Sequence, residues 1–239
     1  MNELVSRAKD GGRHYPLTTQ MRVRAGADFV GYVRRVMGSV AGGAHPESFE
    51  GYDLRFFDSV GEMRDAIYQR DSEVGLSRIV AGFAWAWKSQ NDKSAFDIEE
   101  QGHTFRWNSV QTDWVSSPNA LSEVGSIHTV QGYDLNYTGV IIGPDLKYDP
   151  VKREMYFDRE SYFDAKGKEN NRTLGKIYTD EDLLRFVSNI YAVLLTRGIL
   201  GTYVYVSDPA LRAYLRPFFT AERVHGSRGR ESITQRRRQ

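Results

Sequence analysis

Residues 123–146 read EVGSIHTVQGYDLNYTGVIIGPDL. Two short apolar runs bracket a polar turn. Residues 124–128 read as one strand. Residues 137–142, YTGVII, read as a second, buried strand that runs into Gly143 and Pro144. Apolar, branched runs of this length suit strands covered on both faces. The intervening TVQGYDLN is too short for a full crossover helix.

Working outward, helices and strands alternate. Downstream, residues 153–157 alternate in polarity, and residues 164–176 form a polar loop expected to be mobile. Thr179, with Asp182 three residues on, caps a long helix. Leu183, Leu184, Val187, Ile190, Tyr191 and Leu194 recur on it at helical spacing. Gly198 and Gly201 bracket its end, and residues 201–206, GTYVYV, form a strand. Asp208 and Pro209 open a last helix running to about Arg216.

Upstream, residues 27–37 form a helix, residues 38–51 a glycine-rich loop, and residues 52–57 a short strand. Ser59 and Glu62 make a capping box for a helix that buries Met63, Ala66 and Ile67 and ends near Arg70. Residues 78–83 form another apolar strand. Residues 88–102 are polar and expected at the surface, and residues 91–117 read as an insertion or a surface elaboration. Short buried strands alternating with helices define an α/β layer fold with a mainly parallel sheet. No internal repeat or second domain boundary interrupts it.

The chain has no cysteine, which excludes disulfides and thiolate metal sites. That absence suits a reducing compartment, and a cytoplasmic location is expected. No apolar run is long enough to span a bilayer, so no membrane partner is expected. Net charge is +1, which neither demands nor excludes nucleic acid. Basic residues gather at the end, in RVHGSRGR and QRRRQ. This tail is either a solubilising, disordered terminus or an arm that contacts phosphate.

An α/β sheet often holds phosphate on a glycine-rich loop opening a helix, but G-x-x-x-x-G-K-[ST] is absent. What remains is a set of polar residues beside strand ends. Arg197, between an apolar helix and a strand, either complements the helix C-terminus or acts as an arginine finger on a transferring phosphoryl group. Arg22, in QMRVR, has the same two readings. Gly132 is either a turn glycine or a point where backbone N–H groups approach an anion. Asp134 either caps the turn or accepts from a sugar hydroxyl. His128 is a structural or functional histidine at a strand end. The five histidines have no metal-site spacing, so no metal is assigned to this chain alone.

Residues 123–146 resemble the signature of the bacterial and Schlafen-related helicase-like ATPases of helicase superfamily 1. Residues 189–215, NIYAVLLTRGILGTYVYVSDPALRAYL, resemble the C-terminal motif of the same family. Residues 17–26, LTTQMRVRAG, are similar to its arginine motif at the start of the second RecA-like domain. IVAGFAWAWKS (79–89) and FRWN (105–108) resemble further family segments. The similarity runs in one order from Leu17 to Arg216.

The resemblance implies a RecA-like three-layer sandwich, with the second helicase domain only. It sets a leader at 1–16, a RecA-like domain at 17–219 and a basic tail at 220–239. ATP and Mg2+ would bind only at an interface with a phosphate-loop domain on another chain. Arg197 matches the arginine of the sixth helicase motif and Arg22 that of the fourth, both facing the γ-phosphate. Gln131, Gly132 and Asp134 match the fifth motif, whose acidic member approaches the ribose. His128 and Thr129 match positions that couple this motif to DNA or RNA. Asp134 is one methylene shorter than the usual glutamate, and Arg24 stands where relatives carry small polar residues. The implied function is the C-terminal half of a nucleic-acid-dependent ATPase. The alternative is a non-catalytic nucleic-acid or protein-binding module derived from one.

Overall fold

A computed structural model describes residues 10, 23–25, 28–38, 44–165, 167–168 and 177–220. Arg22, all of the leader but residue 10, most of the 164–176 loop and all of the basic tail but residue 220 lie outside the described residues. Helix α1 (Phe29–Val36) precedes strand β1 (Asp53–Phe56), helix α2 (Val60–Val74) and strand β2 (Ser77–Ala81). Strands β3 (Ile98–Glu100), β4 (His103–Trp107), β5 (Glu123–Ser126) and β6 (Leu135–Ile142) follow. Strands β7 (Leu146–Asp149) and β8 (Glu154–Phe157), helix α3 (Asp180–Leu195), strand β9 (Gly198–Val206) and helix α4 (Pro209–Phe219) complete the order.

Seven strands form one sheet in the order β1-β9-β6-β2-β5-β4-β3, parallel except for the β3–β4 pair. Strands β7 and β8 form a separate antiparallel hairpin. The strand period of two divides the buried side chains between the two faces. Ile79, Ala81, Ile141, Tyr203 and Tyr205 join Val60, Met63 and Ile67 of α2 in one cluster. Val80, Val140, Ile142, Val204 and Val206 join α1, α3 and α4 in the other. The result is a three-layer α/β sandwich of the RecA-like kind.

Local rules explain the element ends. The Thr179–Asp182 capping box forms reciprocally on α3. At α2 only the forward bond forms, from the Glu62 amide to Ser59 Oγ at 3.3 Å. Helix α2 continues past Arg70 to Val74, where Gly75, at φ +70°, terminates it. Asp208 caps α4, which runs past Arg216 to Phe219.

Residues 88–102 are mostly exposed, as expected, but residues 98–107 also carry sheet structure. Strands β3 and β4 form a hairpin, and β4 extends the main sheet beside β5. The turn is Gln101–Gly102, both residues having positive φ, as a two-residue turn of the I′ kind requires. Buried Asp97 accepts from the Ser89 amide (2.7 Å), the Ser89 hydroxyl (2.6 Å) and the Trp107 amide (2.8 Å). A polar residue thus becomes an internal hub because three donors replace its water. Among the described residues, no helix is long and apolar enough to cross a membrane.

Candidate functional site

The register fixes where the central motif travels. Ser126 of β5 pairs with Ala81 of β2, and Ala81 pairs with Ile141 of β6. Strand β6 starts six residues earlier, at Leu135. Residues 127–134 therefore return from the carboxyl end of the sheet to its amino end, a distance of about 20 Å at strand rise. They do so across the α3 face, where Val130 is buried in that face's core. His128 and Asp134 stand at opposite ends of the sheet.

At the amino end, Leu135 is registered with Gly198. Asp134 and Arg197 therefore precede neighbouring strand starts, roughly one strand spacing of 4.8 Å apart. Arg197 is buried to 8% exposure, while Gln131, Gly132 and Asp134 are exposed. Gly132 has φ +90° and nothing within 4 Å of where a β-carbon would be, so its turn is open to an approaching group. The Arg24 amide donates to the Ile199 carbonyl at 2.9 Å. The segment that follows Arg22 is thus tied to the strand start that follows Arg197. Among the described residues, no three His, Asp or Glu side chains converge as a metal site.

At the carboxyl end, His128 is exposed and its ring lies 5.6 Å from that of Phe83. Thr129 is buried. Its hydroxyl accepts from the Ser126 amide (2.9 Å) and faces the Ser126 carbonyl (3.0 Å) and Asn108 Oδ1 (3.4 Å). Those internal bonds occupy the group, so Thr129 shapes the turn that presents His128. The register therefore places Asp134 beside Arg197 at one end and His128 with Thr129 at the other, with Gln131 and Gly132 on the segment between them.

Beside His128 lies a cavity of about 690 Å³ lined by Phe83, Trp85, Trp87, Asn108, Gln111 and Phe163 among others. The sequence signal was available. Phe83, Trp85 and Trp87 alternate with two alanines just after a buried strand, so the rings share a side. Trp107 sits within 6.5 Å, centroid to centroid, of each of these rings and is itself held by the Asp97 hub.

The comparisons with known proteins follow from this fold. Residues 3–208 match the family described as Schlafen group 3, DNA/RNA helicase domain. The chain belongs to this family. The uncharacterized protein YPL245W of Saccharomyces cerevisiae is 31% identical over 238 residues, covering 90% of this chain and 50% of that protein. The chain thus spans about half the length of that relative. No solved structure matches it.

Within this Schlafen-family domain, the GPDL segment also carries a buried acid the sequence reading passed over. Asp145 Oδ1 accepts from the Tyr191 hydroxyl at 2.6 Å, and Tyr191 accepts from the Gly143 amide at 2.9 Å. Burial pushes the Asp145 carboxyl up from 3.8 to about 7, the Tyr191 bond opposing it. Between those values the folded chain keeps a proton the unfolded chain has released. Stability is then full below about pH 4, falls as pH rises towards 7, and levels above it. Asp145→Asn removes this titration. Thermal midpoints from about pH 4 to pH 8 are expected to fall more steeply for the wild type than for the variant. Parallel curves would show that Asp145 does not titrate there.

Proposed function

We propose that this chain is the second RecA-like domain of a nucleic-acid-dependent ATPase. It supplies Arg197 and Arg22 to a nucleotide held by a phosphate-loop domain, on another polypeptide or on further sequence of the same one. The observation that carries the reading is the juxtaposition of Asp134 and Arg197 at the starts of β6 and β9. A buried arginine, an exposed carboxylate and an open glycine turn suit the triphosphate and ribose ends of one nucleotide. The chain has no phosphate-binding loop, so ATP and Mg2+ would be held between this edge and the phosphate-loop domain. When bound, they supply the scissile phosphoryl group and its neutralising charge.

Residues 127–134 link this edge to His128 at the opposite end. One short segment thus touches both candidate ligand zones, which supports coupling of nucleic acid to hydrolysis. The test is ATPase activity of the chain combined with its phosphate-loop domain, with and without oligonucleotide. Activity that needs both components and rises with nucleic acid is expected. The chain alone is expected to bind ATP weakly; tight binding by isothermal titration would overturn the half-site.

A second reading, a non-catalytic nucleic-acid-binding module, is favoured by the absent phosphate loop alone. It predicts oligonucleotide binding with no hydrolysis in any combination.

A further inference from the structure

We propose that two adjoining cavities at the carboxyl end of the sheet form one track for single-stranded nucleic acid, with an unpaired base stacked on Trp85 and Trp87. This rests on the nucleic-acid reading above but names a ligand class and residues that it leaves open. Among the described residues, the first cavity, of about 690 Å³, has no lysine or arginine in its lining; Asp164 is its carboxylate and His128 its imidazole. A planar, uncharged group has three half-exposed rings, Phe83, Trp85 and Trp87, on which to stack. Gln90 and Gln111 add amides, which donate and accept at once, as base edges require.

The second cavity, of about 790 Å³, shares Trp87, Gln90, Asn108 and Gln111 with the first. Here the lining changes character. Lys93 and Arg106 contribute positive charge, and Arg64 is paired with Asp65 at 2.8 Å. The one carboxylate, Glu123, is turned towards the Ser109 amide and the Trp114 indole. Trp107 lines this cavity, and its buried indole N–H has no acceptor. An aromatic site whose described lining holds no lysine or arginine, beside a cationic one, matches the alternation of base and phosphate along a strand.

The rings are held before any ligand arrives. The Asp97 hub fixes Ser89 and Trp107. The Phe163 amide donates to the Phe83 carbonyl at 2.8 Å, which sets the opposite wall. Yet the aromatic surface is not sealed as a core: Phe96 and Phe163, at the edges of the two cavities, are 39% and 48% exposed.

The test titrates the full chain, by tryptophan fluorescence, with three strands of about 15 nucleotides. These are oligo(dT), oligo(U) and an abasic deoxyribose-phosphate strand of equal charge. The basic tail contributes equally to all three, so the comparison isolates the bases. Oligo(dT) and oligo(U) are expected to quench the fluorescence and bind about tenfold or more tightly than the abasic strand. Trp87→Ala is expected to erase most of that difference without changing abasic binding, and Trp87→Phe to keep part of it. Equal affinity for the based and abasic strands would overturn the track, and this arm needs no variant to fold. Base-independent binding alongside a working, Arg197-dependent ATPase would overturn the track alone. Base-dependent binding without any ATPase would overturn the nucleotide reading alone.

Discussion

Replacing Arg197 by alanine is expected to lower ATP hydrolysis by the chain joined with its phosphate-loop domain by about 10³-fold or more. The loss should fall on kcat with little change in KM, because a phosphate-facing arginine meets its full charge only as the phosphoryl group transfers. The environment of Arg197 supports so large an effect. It is buried to 8% exposure, and a buried cation acts through a lower dielectric than a solvated one. It is also placed by rigid elements on both sides, the end of α3 and the start of β9. Arg197→Lys keeps the charge but loses the planar fork, and should recover only a small part of the rate. Circular dichroism and thermal midpoints of both variants separate catalysis from folding. A folded Arg197→Ala protein with activity within threefold of wild type would remove Arg197 from the nucleotide site.

The layered α/β fold was legible because its sheet is parallel and doubly covered. YTGVII and GTYVYV carry that in their unbroken apolar runs, and Thr179–Asp182 marks its helix by capping chemistry alone. The β3–β4 hairpin was not legible as part of the sheet. Its polar residues, above all Asp97, read as solvent-facing until the three donors that satisfy it are brought in from residues eight to ten positions away. Strand β7 was missed for a related reason: LKYD has only one fully buried position and is stabilised by pairing with β8. The site was half legible. The resemblance of residues 123–146 to a family signature suggested a motif, but its division between two ends of the sheet depends on the register of β5, β2 and β6. That register is a long-range property. The aromatic cavity needs Phe163 and Asn108 brought beside residues 83–87, which no local pattern encodes.

Among the described glycines, Gly198→Ala is expected to be the most damaging added methyl group, and it tests how the sheet places Arg197. Leu135 pairs with Gly198 and Tyr137 with Gly201, so two steps along β6 match three along β9. The extra residue is a bulge, a device that bends a strand and re-aims its neighbours. It lies immediately after Arg197. The bulge is closed by Tyr52, whose hydroxyl donates to the Gly198 carbonyl at 3.0 Å and sits 2.8 Å from Thr202 Oγ1. Thr202 in turn donates to the Leu195 carbonyl at 3.1 Å, tying the last turn of α3 to the same point. A β-carbon on Gly198 would overlap the Gly201 carbonyl and lie 3.1 Å from Thr202 Oγ1. The obstacle is backbone, so no rotamer change relieves it and the bulge must open. A loss of about 3 kcal/mol is expected from such overpacking. For a chain of this size that lowers the thermal midpoint by roughly 10 °C. Gly132→Ala provides the contrast. Its β-carbon meets nothing within 4 Å, and only the positive φ of +90° opposes it, so the expected cost is about 1 kcal/mol. If Gly198→Ala melted within about 2 °C of wild type, the bulge would be more pliable than its contacts require. If it melted low yet hydrolysed ATP normally below its midpoint, the bulge would support the fold without aiming Arg197.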